Sequence, residues 1–348
     1  MPPLRRALHL PSFLVALCAL LAACGSGSGT TTAGTDGAVT LRLGYFPNLT
    51  HATAVAGIEK GIYAEKLGPD KLALQTFNAG PAAVEALFAE GLDAAYLGPN
   101  PAINAFSKSK GQAVRIISGA TSGGASLVVK PTVQQPSDLK GRKIASPQLG
   151  GTQDVALRVW LDEHGLKPDR PEGASVIPQD NAQTLETFRA GDVEGAWVPE
   201  PWATRLVQEG GGKVLVDERS LWPDGRFVTT HLIVRTKFLD QHPATVKRLL
   251  EAQVAATAFV NESPAEAQSL ANLGIERITG KKLAPNVITA AWANMTFTND
   301  PIAGSLTESA RDAERVGLLK KVDLTGIYEL SLLAEVLKEA GQSPVLAS

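Results

Sequence analysis

Small, amide-bearing and hydroxyl residues gather where β-like runs give way to helical ones: Asn48-Leu49-Thr50-His51, Asn78-Ala79-Gly80-Pro81, Gly98-Pro99-Asn100-Pro101, Ser122-Gly123-Gly124 and Gly150-Gly151-Thr152. At such a junction the first N–H groups of the helix have no partner within it, and the helix dipole places partial positive charge there. The chemistry this pattern suits is capture of a small oxyanion by neutral donors. Each junction alone is weak, because Asn, Ser, Thr and Gly also cap helices for structural reasons. Five in one chain carry more weight. His51 opens a helix, where its ring either donates to an anion or caps and packs, and His231 ends the run Phe227-Val228-Thr229-Thr230 as either a ligand contact or a hinge-packing residue. Trp197, Trp202 and Trp222 are either an apolar wall for an alkyl chain or plain core. The Lys281-Lys282 pair reads as solvated surface.

Other chemistries find little support. The histidines are His9, His51, His164, His231 and His242, with no HxxxH or HxH spacing and no cysteine beside them, so neither a metal site nor a cofactor is expected. Gly-x-Ser-x-Gly occurs at Gly25–Gly29, in a Gly/Ser-rich stretch rather than on a strand-to-helix turn, so it is composition and not a nucleophile elbow. No nucleophile and base pair stands out, and the expectation is a binding protein rather than an enzyme.

The chain bears 33 Lys+Arg against 35 Asp+Glu, a net charge of −2 with no basic field to attract nucleic acid. Its 348 residues exceed the usual size of a single core and call for two lobes. Both cysteines, Cys18 and Cys24, lie near the N-terminus, so no disulfide framework can hold the body together. Residues 1–23 have a basic start at Arg5 and Arg6, then a short apolar run from Leu8 to Leu20, then small residues, the pattern of a signal peptide. Leu21-Ala22-Ala23-Cys24 resembles a bacterial lipobox, which implies cleavage before Cys24 and a lipid on its sulfur. Without Arg5 and Arg6 the 33 basic residues become 31 against 35 acidic, a net −4, so anion capture cannot depend on overall charge. Residues 24–38 are Gly/Ser/Thr-rich and read as a flexible tether reaching on the order of 20 Å. The expected product is anchored through Cys24 to the outer face of the bacterial cytoplasmic membrane.

From Val39 onward short β-like runs alternate with helical stretches, the signature of an α/β fold with largely parallel strands. The apolar run Leu127-Val128-Val129 leads to Lys130-Pro131, the expected crossover into a second lobe, and Phe227–Arg235 is the expected return. Beyond it the pattern is helical: Val246, Leu249, Leu250 and Val254 fall on one face of an amphipathic helix. The expected organisation is a discontinuous first lobe, 39–130 and 232–348, with the second lobe inserted as 131–231. Two crossings make a hinge, and a cleft between α/β lobes is a preferred ligand site.

Leu43-Gly44-Tyr45-Phe46-Pro47-Asn48-Leu49-Thr50-His51-Ala52 is followed by Gly57-Ile58-Glu59-Lys60-Gly61-Ile62-Tyr63, and later by Asp138-Leu139-Lys140-Gly141-Arg142-Lys143-Ile144-Ala145 and Gly191-Asp192-Val193-Glu194-Gly195-Ala196-Trp197. Over about residues 39–260 the chain resembles the ABC-importer solute-binding proteins for aliphatic sulfonates, taurine and nitrate. The resemblance implies a type II periplasmic-binding fold that closes around its ligand and docks, as a monomer, on a membrane permease driven by an ATPase. It also implies ligand positions at Asn48, Thr50, His51, Asn78, Gly80, Gly98, Asn100, Ser122, Gly123, Gly151 and Thr152, with Trp197, Glu200 and Trp202 on the second lobe's lip. An acidic group repels a bare sulfonate, so Glu200 either points away or pairs with a basic residue or with a cationic part of the ligand, such as taurine's ammonium. The expected ligand is an aliphatic sulfonate or taurine. The alternatives are nitrate, a pyrimidine-type molecule, or an enzyme resembling the thiamin-precursor synthases.

Overall fold

The computed structural model describes residues 37–168 and 170–345. The expected signal peptide 1–23, Cys24 and nearly all of the tether lie outside the described residues. Eleven strands follow in the described chain: β1 Thr40–Tyr45, β2 Lys71–Thr76, β3 Ala94–Leu97, β4 Val114–Gly123, β5 Ala125–Val129, β6 Lys143–Ser146, β7 Ser175–Pro178, β8 Gly195–Pro199, β9 Lys213–Asp217, β10 Val228–Arg235 and β11 Met295–Phe297. They form two sheets, one ordered β11-β4-β10-β3-β1-β2 and the other β7-β6-β8-β5-β9. In each sheet a parallel core (β1 beside β2 and β3; β6 beside β7 and β8) is extended by antiparallel pairings. In the first sheet β10 runs against β3, β4 against β10 and β11 against β4, and in the second β5 runs against both β8 and β9, so β4 and β9 point the same way as the parallel core.

The chain changes sheets twice, at places the sequence reading set a few residues off. The first change falls at Gly124, because β5 pairs Leu127 with Trp197 and is wholly part of the second sheet. Lys130-Pro131 therefore lies inside the second lobe. Gly123 and Gly124 turn at φ +77° and +74°, a conformation that glycine adopts without strain. At Gly124 a Cβ would also lie 2.5 Å from Met295 Cγ, so the crossing has no room for a side chain. The return lies between Asp217 and Val228, since β10 pairs with β3 and β4 along most of its length.

Period-3.6 patterning is realised as expected: Val246, Leu249, Leu250 and Val254 are all buried on the helix Pro243–Glu262. That face packs with Leu41 and Leu43 of β1 and with the helix Ala52–Glu59 in the core of the first lobe. Trp197 joins Leu127, Ile144, Leu157 and Trp160 in the core of the second. No helix of the described residues is long and apolar enough to cross a membrane.

Candidate functional site

Open α/β sheets present their ligand-binding loops at the carboxyl ends of their parallel strands. Here the loops after β1, β2 and β3 face those after β6, β7 and β8 across the gap between the sheets, and they enclose a cavity of about 40 Å³. Eight of the expected residues line it: Asn48, Thr50, His51, Asn78, Gly80, Gly98, Gly151 and Thr152. The sequence reading missed Phe46, Gln148, Gln153, Asn181, Thr229 and Thr230, among others. Four helices begin at this wall: Gly80–Phe88, Pro99–Lys108, Thr152–Glu163 and Asn181–Ala190. Their free N–H groups and positive dipole ends are thereby brought together.

Each loop is held by named partners. The Thr50 carbonyl accepts from the hydroxyls of Thr121 (2.7 Å) and Thr230 (3.0 Å), which anchors the β1 loop to β4 and β10. Buried Asp154 accepts from the Gly150 N–H (3.0 Å), the Ser146 hydroxyl (2.8 Å) and Arg158 Nε (3.1 Å), which fixes the turn that delivers Thr152. Gly98 is there because nothing larger fits: a Cβ would lie 2.1 Å from Thr152 Oγ1, on the facing lobe.

The cavity wall contains no Asp, Glu, Lys or Arg side chain. Its histidine is neutral as well, since burial pushes His51 down to about 3. His51 Nδ1 accepts from the Phe46 N–H at 3.3 Å, so the proton of the neutral ring sits on Nε2. Thr152 Oγ1 and Asn181 Oδ1 are buried without a hydrogen-bond partner. Buried polar atoms seldom remain so, and two in one cavity mark where a polar solute would be held.

A clasp of hydrogen bonds joins the lobes around this cavity. Trp202 Nε1 donates to Asn48 Oδ1 (2.9 Å), and Asn78 Nδ2 donates to Asp180 Oδ2 (3.1 Å). The Glu200 carbonyl accepts from Leu49 N (3.2 Å) and Thr50 N (3.4 Å). The Glu200 carboxylate is buried and engaged, accepting from Asn294 Nδ2 (2.8 Å), Thr204 N (3.1 Å) and Thr204 Oγ1 (3.0 Å). Burial pushes this carboxyl above the usual glutamate value, and the same donors pull it back in part. Of the readings left open for Glu200, the structure favours the one in which it points away from the cavity.

The remaining expected residues stand elsewhere. Asn100 donates to the Ser309 carbonyl (3.0 Å), and Ser122 and Gly123 lie in β4 with their pairing partners. Trp197 is core, its indole N–H on Glu218 Oε2 at 2.7 Å. His231 is buried in β10, bonded through Nε2 to the Pro301 carbonyl at 2.9 Å. Trp222 stacks on Phe227 with ring centroids 5.5 Å apart. Trp202 lies at the rim, where it lines an outer chamber of about 460 Å³ together with Leu185, Leu283 and the Lys281-Lys282 pair. Asn48, Asn78 and Asn181 line both spaces. Among the described residues no group of three or more His, Cys, Asp or Glu is placed to hold a metal ion.

The depressed His51 sets a pH dependence. In the unfolded chain His51 takes a proton near 6.5, whereas the folded protein declines it until about 3. Its contribution is therefore complete above pH 6.5 and is lost as the pH falls toward 3. Glu218 and Asp312, raised by burial to about 7 and about 6, act in the opposite direction over part of that window, so a variant must isolate the histidine. A His51→Gln protein should be less stable than the parent at pH 7, with the deficit shrinking by about 2 kcal/mol at pH 5. Urea unfolding at the two pH values checks this, and an equal deficit at both would contradict it.

Comparison with known proteins gives this geometry a lineage. The taurine-binding periplasmic protein of Escherichia coli K12 is 29% identical over 178 residues, which are 51% of this chain and 54% of that protein. The alkanesulfonate-binding protein SsuA of Xanthomonas axonopodis pv. citri, bound to MOPS, superposes with a TM-score of 0.71 at 18% identity, covering 84% of this chain and 99% of that one. The periplasmic nitrate-binding protein NrtA of Synechocystis PCC 6803 superposes with a TM-score of 0.72 at 20% identity, covering 89% and 92%. The two superpositions establish the periplasmic-binding fold expected from the sequence. Residues 34–275 match the NMT1-like family, well over half of the sequence, and the chain belongs to that family.

Proposed function

We propose that the protein is the extracytoplasmic solute-binding component of an ABC importer, capturing a small organic anion, an aliphatic sulfonate or taurine, and handing it to a membrane permease. One observation carries this reading: four helix N-termini from two lobes converge on an uncharged cavity in which Thr152 and Asn181 have polar atoms without partners. An anion bound there would be held by neutral donors, in keeping with a mature charge of −4 that offers no general attraction. Catalysis is disfavoured by the same wall, because a histidine pushed to about 3 is too weak a base to activate a hydroxyl at neutral pH. The volume of about 40 Å³, roughly a quarter of a cavity that takes benzene, favours a compact oxyanion such as nitrate as the second reading. A sulfonate would need the lobes to part slightly or its tail to extend into the outer chamber.

Leu21-Ala22-Ala23-Cys24 supports export and lipid anchoring, and the tether would hold a monomeric body near the permease. Mass spectrometry of the mature N-terminus tests the anchor: diacylglyceryl cysteine at position 24 is expected, and an unmodified residue there rules it out. For the ligand, thermal-shift screening of the mature protein with taurine, alkanesulfonates, sulfate and nitrate is the direct test. A ligand that binds only the native form raises the melting temperature by mass action, by several degrees at a hundredfold excess over Kd. No shift with any of them would sink the anion reading.

A further inference from the structure

We infer that the captured solute carries a hydrogen-bond donor as well as an oxyanion, and that Asn181 is the residue that selects for it. This rests on the cleft being the solute site. Seven buried side-chain atoms among the described residues have no hydrogen-bond partner, and two of them, Thr152 Oγ1 and Asn181 Oδ1, belong to residues of the cleft wall. They make different demands. A threonine hydroxyl can donate or accept, so any anion oxygen satisfies it. An amide oxygen can only accept. With the Asn181 amide oriented as it is, oxygen inward, a solute made solely of acceptors, such as nitrate or a plain alkanesulfonate, satisfies Thr152 but brings lone pairs against Asn181 Oδ1 and leaves that atom without a donor.

No donor of the protein reaches Asn181 Oδ1 within hydrogen-bond distance. Asn48 Oδ1 takes the indole N–H of Trp202, and the Asn78 amide donates to Asp180, the residue next to Asn181. Glu200, the sequence's candidate partner for a cationic group, is occupied by Thr204 and Asn294. Asn181 also lines the outer chamber, so it stands at the passage between the two spaces. A solute with its oxyanion among the helix N-termini and an N–H or O–H at its other end would satisfy both atoms. That class includes amino- and hydroxy-sulfonates and, among compact ions, hydrogen carbonate.

Calorimetric titration with matched probes tests this. Taurine, isethionate and ethanesulfonate share a two-carbon sulfonate and differ at the far end in an ammonium, a hydroxyl and a methyl group. Hydrogen carbonate and nitrate are planar ions of four heavy atoms that differ in a hydroxyl. In the parent protein the donor-bearing members of whichever set binds should be at least about tenfold tighter, the worth of one satisfied buried acceptor. Asn181→Ala should collapse that ratio toward unity. The isosteric Asn181→Asp should keep the preference and sharpen it for taurine, which also guards against a simple folding defect in the alanine variant. Binding without donor preference, or a preference unchanged in Asn181→Ala, overturns this inference and leaves the proposed function standing. Binding by none of the five probes overturns both.

Discussion

A Gly98→Ala substitution is expected to lower the affinity for the bound solute by at least about a hundredfold, or about 2.7 kcal/mol, with little effect on the folding of either lobe. The added methyl would lie 2.1 Å from Thr152 Oγ1, 3.2 Å from Thr152 Cβ and 3.4 Å from the Thr229 carbonyl oxygen. Gly98 and Thr152 belong to opposite lobes, so relief must come in one of two ways. Either the lobes stay apart, which breaks the clasp of Asn48 to Trp202 and Asn78 to Asp180, or Thr152 turns its hydroxyl out of the cavity. Both remove the means of holding a solute. Gly304→Ala is the control, because a methyl there meets nothing within 4 Å. Small-angle scattering of Gly98→Ala should show a larger radius of gyration than the parent with solute present. An alanine variant that binds and compacts like the parent would refute this role for Gly98.

The second large effect concerns stability. Glu200→Ala removes the acceptor for three donors, the buried Thr204 N and Thr204 Oγ1 and the half-buried Asn294 Nδ2. Stranding buried donors costs about 1–3 kcal/mol each when they cannot rehydrate, and breaking a buried charged partner costs about 3–5 kcal/mol in all. The expected loss in urea unfolding is about 3 kcal/mol for Glu200→Ala and about 1 kcal/mol for Glu200→Gln, which keeps one accepting oxygen. Burial already disfavours the ionised carboxyl, so removing its charge returns part of the loss. A ligand-binding role would give the reverse pattern: Glu200→Gln would leave unfolding unchanged and weaken taurine alone.

Glu200 also illustrates what a sequence can and cannot convey. The resemblance placed it on a lip of the second lobe, but its partner Asn294 lies 94 residues away, and no local pattern announces such a bond. Strand ends followed by Gly, Asn or Thr were legible because backbone geometry demands those residues locally, which is why Asn48, Gly80, Gly98 and Thr152 were found. Asn100 and Ser122 satisfied the same composition rule, yet the Asn100 amide is turned to the helix Ala303–Arg315 and Ser122 sits within β4. Asn181 escapes the same rule because it opens the helix Asn181–Ala190 soon after the short strand β7 with no glycine beside it. Thr229 and Thr230 were missed for a topological reason. β10 runs antiparallel to its neighbours, so its start, rather than its end, reaches the cleft. The crossover was set at Lys130-Pro131 because the run Leu127-Val128-Val129 carries no sign of which sheet it joins, and its partners, β8 and β9, lie about 70 to 90 residues further on. The paired left-handed glycines Gly123 and Gly124 are the signal that marks the change of sheet.

The central claim is that the cleft between the two sheets, and not another surface, takes the solute through neutral donors. The most direct measurement is a calorimetric titration of the strongest solute from the thermal-shift panel into the parent protein and into Thr152→Val, which keeps the shape of residue 152 and removes its hydroxyl. Saturable one-to-one binding to the parent, weakened at least about tenfold in the variant at an unchanged melting temperature, is the predicted result. Equal affinity in the two proteins would contradict it and place the solute elsewhere.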